Sequence, residues 1–418
     1  MYAVLVVLAG LMQHVVSQSE LMPMYDPFQQ APLYDYSYPV TNPGLRQSVI
    51  TLGACRIVID PICPDPDVTF FLYTKEAPET PVQVTVGSEW TSNLGDTYFN
   101  PEHPTKIIVH GYNSNMHLTA LTEIRKEYLK TKDYNIFTVD WGPLAMGPCY
   151  PGAVFNARHV GTCAAQLVRQ IRNAGAEDIH IIGFSLGAHV TNFMAVALRP
   201  YLIPRITGLD PALPGFITMN NDDKLDRTDA KFVDVYHTNA FVQGKVENSG
   251  HVDFFINGGV IQPGCWAENR FFACNHHRAP LYFAESINTP RGFWGWPCPN
   301  YLQYLLGRCP PIDPQILMGE LVNQTATGTY LVITESVSPF AVGKYTGPAI
   351  EIFLKMSEKN RVAVLNNYNK QIMEYVEDDL KMDERNKHEI MNQLNQDFAD
   401  SLFRMDFNYT DVESIVGL

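Results

Sequence analysis

The residues best suited to chemistry are Gly183-Phe184-Ser185-Leu186-Gly187. This is a G-x-S-x-G pattern between the β-branched run Ile179–Ile182 and a helical stretch, Leu186–Leu198. In that strand-turn-helix context the serine sits on a turn too tight for side chains at Gly183 and Gly187, with its hydroxyl above the sheet edge. The helix N-terminus behind it favours developing negative charge. A serine nucleophile needs a base, and the base needs an orienting acid. Chain order in such folds is serine, acid, histidine.

Asp210, in Gly208-Leu209-Asp210-Pro211-Ala212, follows the run Arg205–Thr207 and lies at a strand's C-terminal end. Asp229 and Asp234 are rivals, but Asp229 precedes its strand and Asp234 lies inside it. The histidines after Asp210 are His237, His251, His276, His277 and His388. His276 stands two residues beyond Cys274, which predicts a loop pinned by a disulfide and favours it as base, with His277 next. An oxyanion hole needs two backbone N–H groups. Leu186 supplies one, and the turn His110-Gly111-Tyr112 after the run Lys106–Val109 offers the N–H of Tyr112.

The elements that must carry these residues read as α/β. Apolar β-branched runs recur at Val68–Thr74, Lys106–Val109, Asn135–Val139, Ile179–Ile182, Arg205–Thr207 and Lys231–Tyr236, and Gly328–Glu335 is a candidate final strand. Helical stretches Val160–Asn173 and Leu186–Leu198 intervene. Near-continuous apolar strands alternating with helices predict a mostly parallel sheet covered on both faces.

The 418 residues divide into four parts. Residues 1–18, mostly apolar from Tyr2 to about Val16, read as a signal peptide. Residues 19–49 form a Pro/Tyr-rich arm without period, and residues 50–346 the catalytic domain. Residues 347–418 form an acidic tail with 14 acidic and 8 basic residues. Ile390, Leu394, Phe398 and Leu402 at i, i+4 spacing predict an amphipathic helix there. Eight cysteines behind a signal peptide predict disulfides and a secreted, extracellular protein. Cys265/Cys274 and Cys298/Cys309 are the local pairs; the pairing of Cys55, Cys63, Cys149 and Cys163 stays open. The sequons at Asn323 and Asn408 predict glycosylation. A net charge of −14 argues against nucleic acid as a partner. No internal apolar run is long enough to span a membrane. The sequence carries no signal of oligomeric state.

With these pieces in order, the chain resembles the animal pancreatic-lipase family, and its insect-type and phospholipase A1-like members in particular. The matching segments are His110-Gly111-Tyr112, Val139-Asp140-Trp141, Gly183 to His189, Gly208 to Ala212, Asp229 to Val235, Gly250 to Phe255 and Cys274-Asn275-His276. The resemblance implies an α/β-hydrolase fold, a Ser185–Asp210–His276 triad, and oxyanion donors at Tyr112 and Leu186. It further implies a glycerolipid substrate met at a lipid surface, and no cofactor for the chemistry. Phe184 stands where many members have histidine. Asp226 and Asp229 match carboxylates that hold a structural calcium in some members, and oxygens three residues apart suit that ion.

The tail is too short for the β-sandwich by which mammalian members dock a lipid-surface partner. The lid, between Cys265 and Cys274, has only eight residues, of which Trp266, Phe271 and Phe272 would contact lipid. With the short loop from Thr238 to Gly250, it resembles the phospholipase A1 branch. The competing expectation is a yolk-type lipid carrier of the same fold that has lost the nucleophile; here all three triad positions keep catalytic residue types.

Overall fold

The computed structural model describes residues 49–53, 55–87, 91–218, 220–265, 271–305, 308–309, 311 and 313–344. The leader, the arm but for Val49, the acidic tail with its amphipathic pattern, His388, Asn408, Trp266 and the side chains of Phe271 and Phe272 lie outside them. The chain divides into two compact units. One is His14–Pro297 with Asp313–Lys344, and the other Cys298–Ile312 with Met1–Gln13 and Tyr345–Leu418. The candidate site belongs entirely to the first.

Strands β1 (Val49–Leu52) and β2 (Cys55–Val58) form an antiparallel pair. An 11-stranded sheet holds β3 (Thr69–Thr74), β4 (Ala77–Val84), β5 (Thr105–Val109), β6 (Asn135–Asp140), β7 (Ile179–Phe184), β8 (Ile203–Leu209), β9 (Ala230–His237), β10 (Val252–Ile256), β11 (Phe293–Cys298), β12 (Ile316–Met318) and β13 (Gly328–Val332). Its order is β12-β11-β13-β10-β9-β8-β7-β5-β6-β3-β4. Every pair from β6 across to β13 by way of β5, β7, β8, β9 and β10 is parallel, and β3 and β4 add an antiparallel edge.

Helices α1 (Thr119–Leu129), α2 (Gly142–Ala145), α3 (Tyr150–Asn173), α4 (Leu186–Leu198) and α5 (Phe271–Ser286) flank this sheet, and α6 (Tyr301–Leu305) belongs to the other unit. Strand alternation divides the core in two. Ile107, Val109, Ile179 and Ile181 pack with α3 and α4 on one face. Ile108, Ile136 and Ile182 pack with α1 and α5 on the other. This is the α/β-hydrolase arrangement: a parallel sheet buried on both faces with a strand-turn-helix at its middle.

Four disulfides join Cys55–Cys149, Cys63–Cys163, Cys265–Cys274 and Cys298–Cys309. The two local pairs are those expected. The long-range pairs tie β2 and its following loop to the start and middle of α3. Closing loops of 94 and 100 residues constrains the unfolded chain, by about 4–5 kcal/mol each on the chain-entropy estimate.

Candidate active site

Strand β7 runs straight into α4, and the turn between them is Ser185. Its backbone lies at φ 57, ψ −120, a strained position for a residue with a side chain. The flanking glycines explain why the turn can be so tight. A Cβ on Gly187 would stand 2.3 Å from Val109 O, and one on Gly183 would stand 2.5 Å from Gly187 O. The Ser185 N–H donates to Leu209 O (3.0 Å), which fastens the elbow to the end of β8.

Asp210 follows directly, also at positive φ (45°) and fully buried. Its Oδ1 accepts two backbone bonds, from Thr238 N (2.9 Å) and Asn239 N (3.1 Å). Its Oδ2 lies 2.5 Å from His276 Nδ1. Asp210 thus has one oxygen held by backbone N–H groups and the other against the His276 ring. Asp229 and Asp234 stand elsewhere: Asp234 forms a two-point ion pair with Arg205, and Asp229 faces Asn192.

His276 departs from expectation in its setting, because it sits on helix α5 and not on a loop. Asn275, His276, Ala279, Tyr282 and Phe283 are buried along one face of α5, which packs on α1. Tertiary burial outweighs the weak helix preference of Asn, His and the internal Pro280. The Cys265–Cys274 disulfide pins the helix's first turn. The ring of Phe184 lies 4.6 Å from that of His276 and 5.5 Å from that of His277, so the residue before Ser185 packs against both histidines. His251 accepts from Val233 N through Nδ1 (3.0 Å), and His237 bonds at both ring nitrogens to groups other than Asp210.

On the other side of the serine lies Gly111. A Cβ there would be 2.7 Å from Ser185 Cβ and 3.2 Å from its hydroxyl. The Tyr112 backbone follows at once, while Leu186 opens α4, whose first N–H groups lack intrahelical partners. The turn is anchored by His110: its Nε2 accepts from Trp141 N (3.0 Å), its carbonyl accepts from Trp141 Nε1 (2.9 Å), and the two rings stack.

Two supports escaped the sequence reading. Buried Gln262 donates through Nε2 to Thr238 O (2.9 Å) and Ile256 O (2.8 Å), and its own N–H donates to Asn275 Oδ1 (2.6 Å). It therefore joins the segment that binds Asp210 to the helix that carries His276. The only sequence signal was a polar residue beside Pro263-Gly264-Cys265. Likewise His189 Nδ1 accepts from Leu225 N (3.1 Å), which leaves Nε2–H to donate to Ala212 O (2.8 Å). Burial pushes this histidine down to about 3, so it is a neutral strut under the Asp210-Pro211-Ala212 turn.

Asp226 and Asp229 share a buried turn behind α4. Asp226 N donates to Asp229 Oδ2 (2.9 Å), and Asp226 Oδ2 is buried without a hydrogen-bond partner among the described residues. Burial, with the nearby Asp226 charge, pushes Asp229 up to about 7. Asn323 lies exposed on a turn before β13, its side-chain oxygen bonded to Thr325. Among the described residues no helix is long and apolar enough to cross a membrane.

Comparison with known proteins agrees with the resemblance read from the sequence. The Lipase family model matches residues 57–340, and the chain belongs to that family. Lipase member H-A of Xenopus laevis is 34% identical over 249 residues, covering 58% of this chain and 53% of its own length. Pancreatic lipase-related protein 2 of Cavia porcellus is 37% identical over 253 residues (58% and 56%). Human pancreatic triacylglycerol lipase is 36% identical over 272 residues (59% and 57%). The match thus spans little more than half the length of these relatives. A solved Pyrococcus furiosus esterase aligns over 42% of this chain and 72% of its own at 14% identity and a TM-score of 0.27, too weak a likeness to carry an argument.

Proposed function

We propose that this chain is a secreted serine hydrolase that cleaves carboxylic esters of glycerolipids through Ser185, His276 and Asp210. The observation that carries the reading is the Asp210–His276 bond of 2.5 Å beside a serine held at φ 57. A buried acid aimed at a histidine ring nitrogen fixes that ring's tautomer and steadies its charged form. The strained elbow presents the hydroxyl of Ser185.

In the reaction, Ser185 Oγ attacks the ester carbonyl as His276 Nε2 takes its proton. The oxyanion forms against the N–H groups of Leu186 and Tyr112. Collapse breaks the bond to the glycerol oxygen, which leaves with the proton from His276. Water, deprotonated by His276, then attacks the acyl-enzyme, and the fatty acid departs as the proton returns to Ser185.

The lid supports a reading of the substrate. Cys265 and Cys274 have Cα atoms 5.5 Å apart. Of the eight residues between them, Phe271, Phe272 and Ala273 already belong to α5, which leaves too few for a long amphipathic flap. A site so lightly covered accepts bulky head groups, so phospholipid, cut at sn-1, is taken at least as well as neutral glyceride. Trp266, Phe271 and Phe272 are the lipid contacts of that rim. The three relatives above carry the name lipase, which supports the ester class and leaves the head group to experiment.

The acidic turn fits a calcium ion. An unpartnered buried carboxylate oxygen on Asp226 beside Asp229, a carboxylate raised by burial, is relieved by a divalent cation with oxygen ligands. Bound there, the ion supplies structural charge neutralisation behind α4, remote from the ester chemistry.

Replacement of Ser185 by alanine tests the reading. Secretion and melting temperature should stay near those of the parent while ester hydrolysis falls by about 10⁶-fold. A variant retaining more than a few per cent of activity removes Ser185 as nucleophile.

A further inference from the structure

We infer that His237, backed by Asp253, is a buried positioning residue that holds the carboxylate of Asp210 in place through its bond to Lys245 O; the inference rests on the triad reading above. His237 ends β9 and is followed by Thr238 and Asn239, the two residues whose N–H groups bind Asp210 Oδ1. Its Nδ1 bonds Lys245 O (2.7 Å) and its Nε2 bonds Asp253 Oδ1 (2.9 Å).

The first of these bonds reaches the wall of the acid's pocket, and the second holds the ring from behind. Lys245 follows Gly244, which lies against Asp210 so closely that a Cβ on Gly244 would be 2.4 Å from Oδ1. The same turn is tied to the acid's own loop by Lys245 N→Pro211 O (2.9 Å) and to the donor segment by Gly244 N→Asn239 O (2.9 Å). The His237 ring thus clamps the wall of the pocket, Gly244-Lys245, to the strand end that donates into it.

Asp253, the second residue of β10, is in turn fixed by Ser249 N (2.9 Å, to Oδ1) and Gly250 N (3.0 Å, to Oδ2), so it orients the ring from the start of that strand. Phe255 stacks flat on His237 at 4.2 Å and leaves the ring one orientation. Both side chains are buried beneath the site, where neither reaches substrate. Two charged or polar groups buried as a pair are costly unless they are well bonded. This pair is bonded at three backbone points, Lys245 O, Ser249 N and Gly250 N, the first of which belongs to the turn that lies against Asp210.

The isosteres of histidine separate this role from mere packing. His237→Asn keeps an N–H near the Nδ1 position, facing Lys245 O; His237→Gln keeps one near Nε2, facing Asp253, and leaves the Lys245 carbonyl unpaired. On a soluble nitrophenyl ester, His237→Gln should lower kcat by at least about 10-fold with KM within about twofold, and His237→Asn by less than about threefold. In an Asp210→Asn background, itself slowed on the order of 10⁴-fold, adding His237→Gln should change kcat no further, because both substitutions act through one carboxylate. Asn and Gln variants equally impaired, a loss carried by KM, or an undiminished loss in the Asp210→Asn background would overturn the inference. Parent-level kcat in Asp210→Asn alone would instead overturn the triad reading on which it stands.

Discussion

Gly244 and Asp210 are in direct contact: a methyl group added at Gly244 would overlap the carboxylate, 2.4 Å from Oδ1 and 2.7 Å from Oδ2. Gly244 does not adopt a positive φ, so the demand on it is space and not backbone freedom. Gly244→Ala should therefore push Asp210 off His276 while the core stays packed. We expect kcat to drop by about 100-fold, the scale of an ångström's misplacement, with KM little changed. Steady-state kinetics on a soluble ester check it, and an unaltered kcat would mean the acid's position is not tightly set.

Much of this site was legible because its chemistry leaves few alternatives. Only glycine fits at positions 183 and 187, so the elbow could be read from five letters, and α4 begins and ends where the pattern said, Leu186–Leu198. Strand centres were equally plain, since parallel strands buried on both faces are apolar throughout. The start of α3 was not. Pro148, Pro151 and Gly152 look like breakers, yet Pro151 falls in the helix's first turn, where a missing N–H costs nothing, and α3 runs from Tyr150. The pairing of Cys55, Cys63, Cys149 and Cys163 depends on how β2 lies on α3, which no local pattern encodes.

Least legible was the row of polar groups crossing the sheet. Lys106, His180 and Arg205 are register partners on β5, β7 and β8, as are Thr207 and Asp234 on β8 and β9. Glu320 caps the row, accepting from Lys106 Nζ (2.6 Å) and Tyr128 OH (2.5 Å). Each residue alone is an interruption in an apolar strand; their meeting is a tertiary fact. Glu320→Gln leaves Lys106 without its carboxylate in a buried place. It should cost about 3–5 kcal/mol of stability, as for other broken buried pairs, with kcat of the folded fraction unchanged. Denaturant melts and active-site titration measure the two separately, and a loss under about 1 kcal/mol would show the network to be dispensable.

His189 carries a pH signature. Its folded-state value, about 3, lies below the unfolded value near 6.5. The unfolded chain thus binds a proton that the folded chain refuses, and stability drains away as pH falls from about 6.5 toward 3. His189→Gln removes that term. The melting-temperature advantage of the parent over this variant should be full at pH 7.5 and shrink steadily to pH 4. A difference that does not change with pH would refute the neutral-strut assignment.

Chelation tests the acidic turn. Removing calcium should lower the melting temperature by several degrees, roughly 2–4 °C per kcal/mol for a domain of this size, and Asp229→Asn should abolish the chelator's effect. Activity should fall only as the protein unfolds. An unmoved melting curve would exclude a resident ion at Asp226 and Asp229.

The short lid makes a kinetic prediction. With no long flap to displace, hydrolysis should rise smoothly through the critical micelle concentration, and phosphatidylcholine should be cut at sn-1 at least as fast as triglyceride. A sharp interfacial jump with phospholipid untouched would place the chain with strict triglyceride hydrolases.

The central claim is that Ser185 is the nucleophile, and a nitrophenyl alkylphosphonate tests it most directly, since it reacts only with an activated serine and stays bound. One phosphonyl group per chain is expected, on the peptide containing Ser185, with activity lost in step with labelling. Full inactivation with the label on another residue, or full activity with Ser185 labelled, would contradict it.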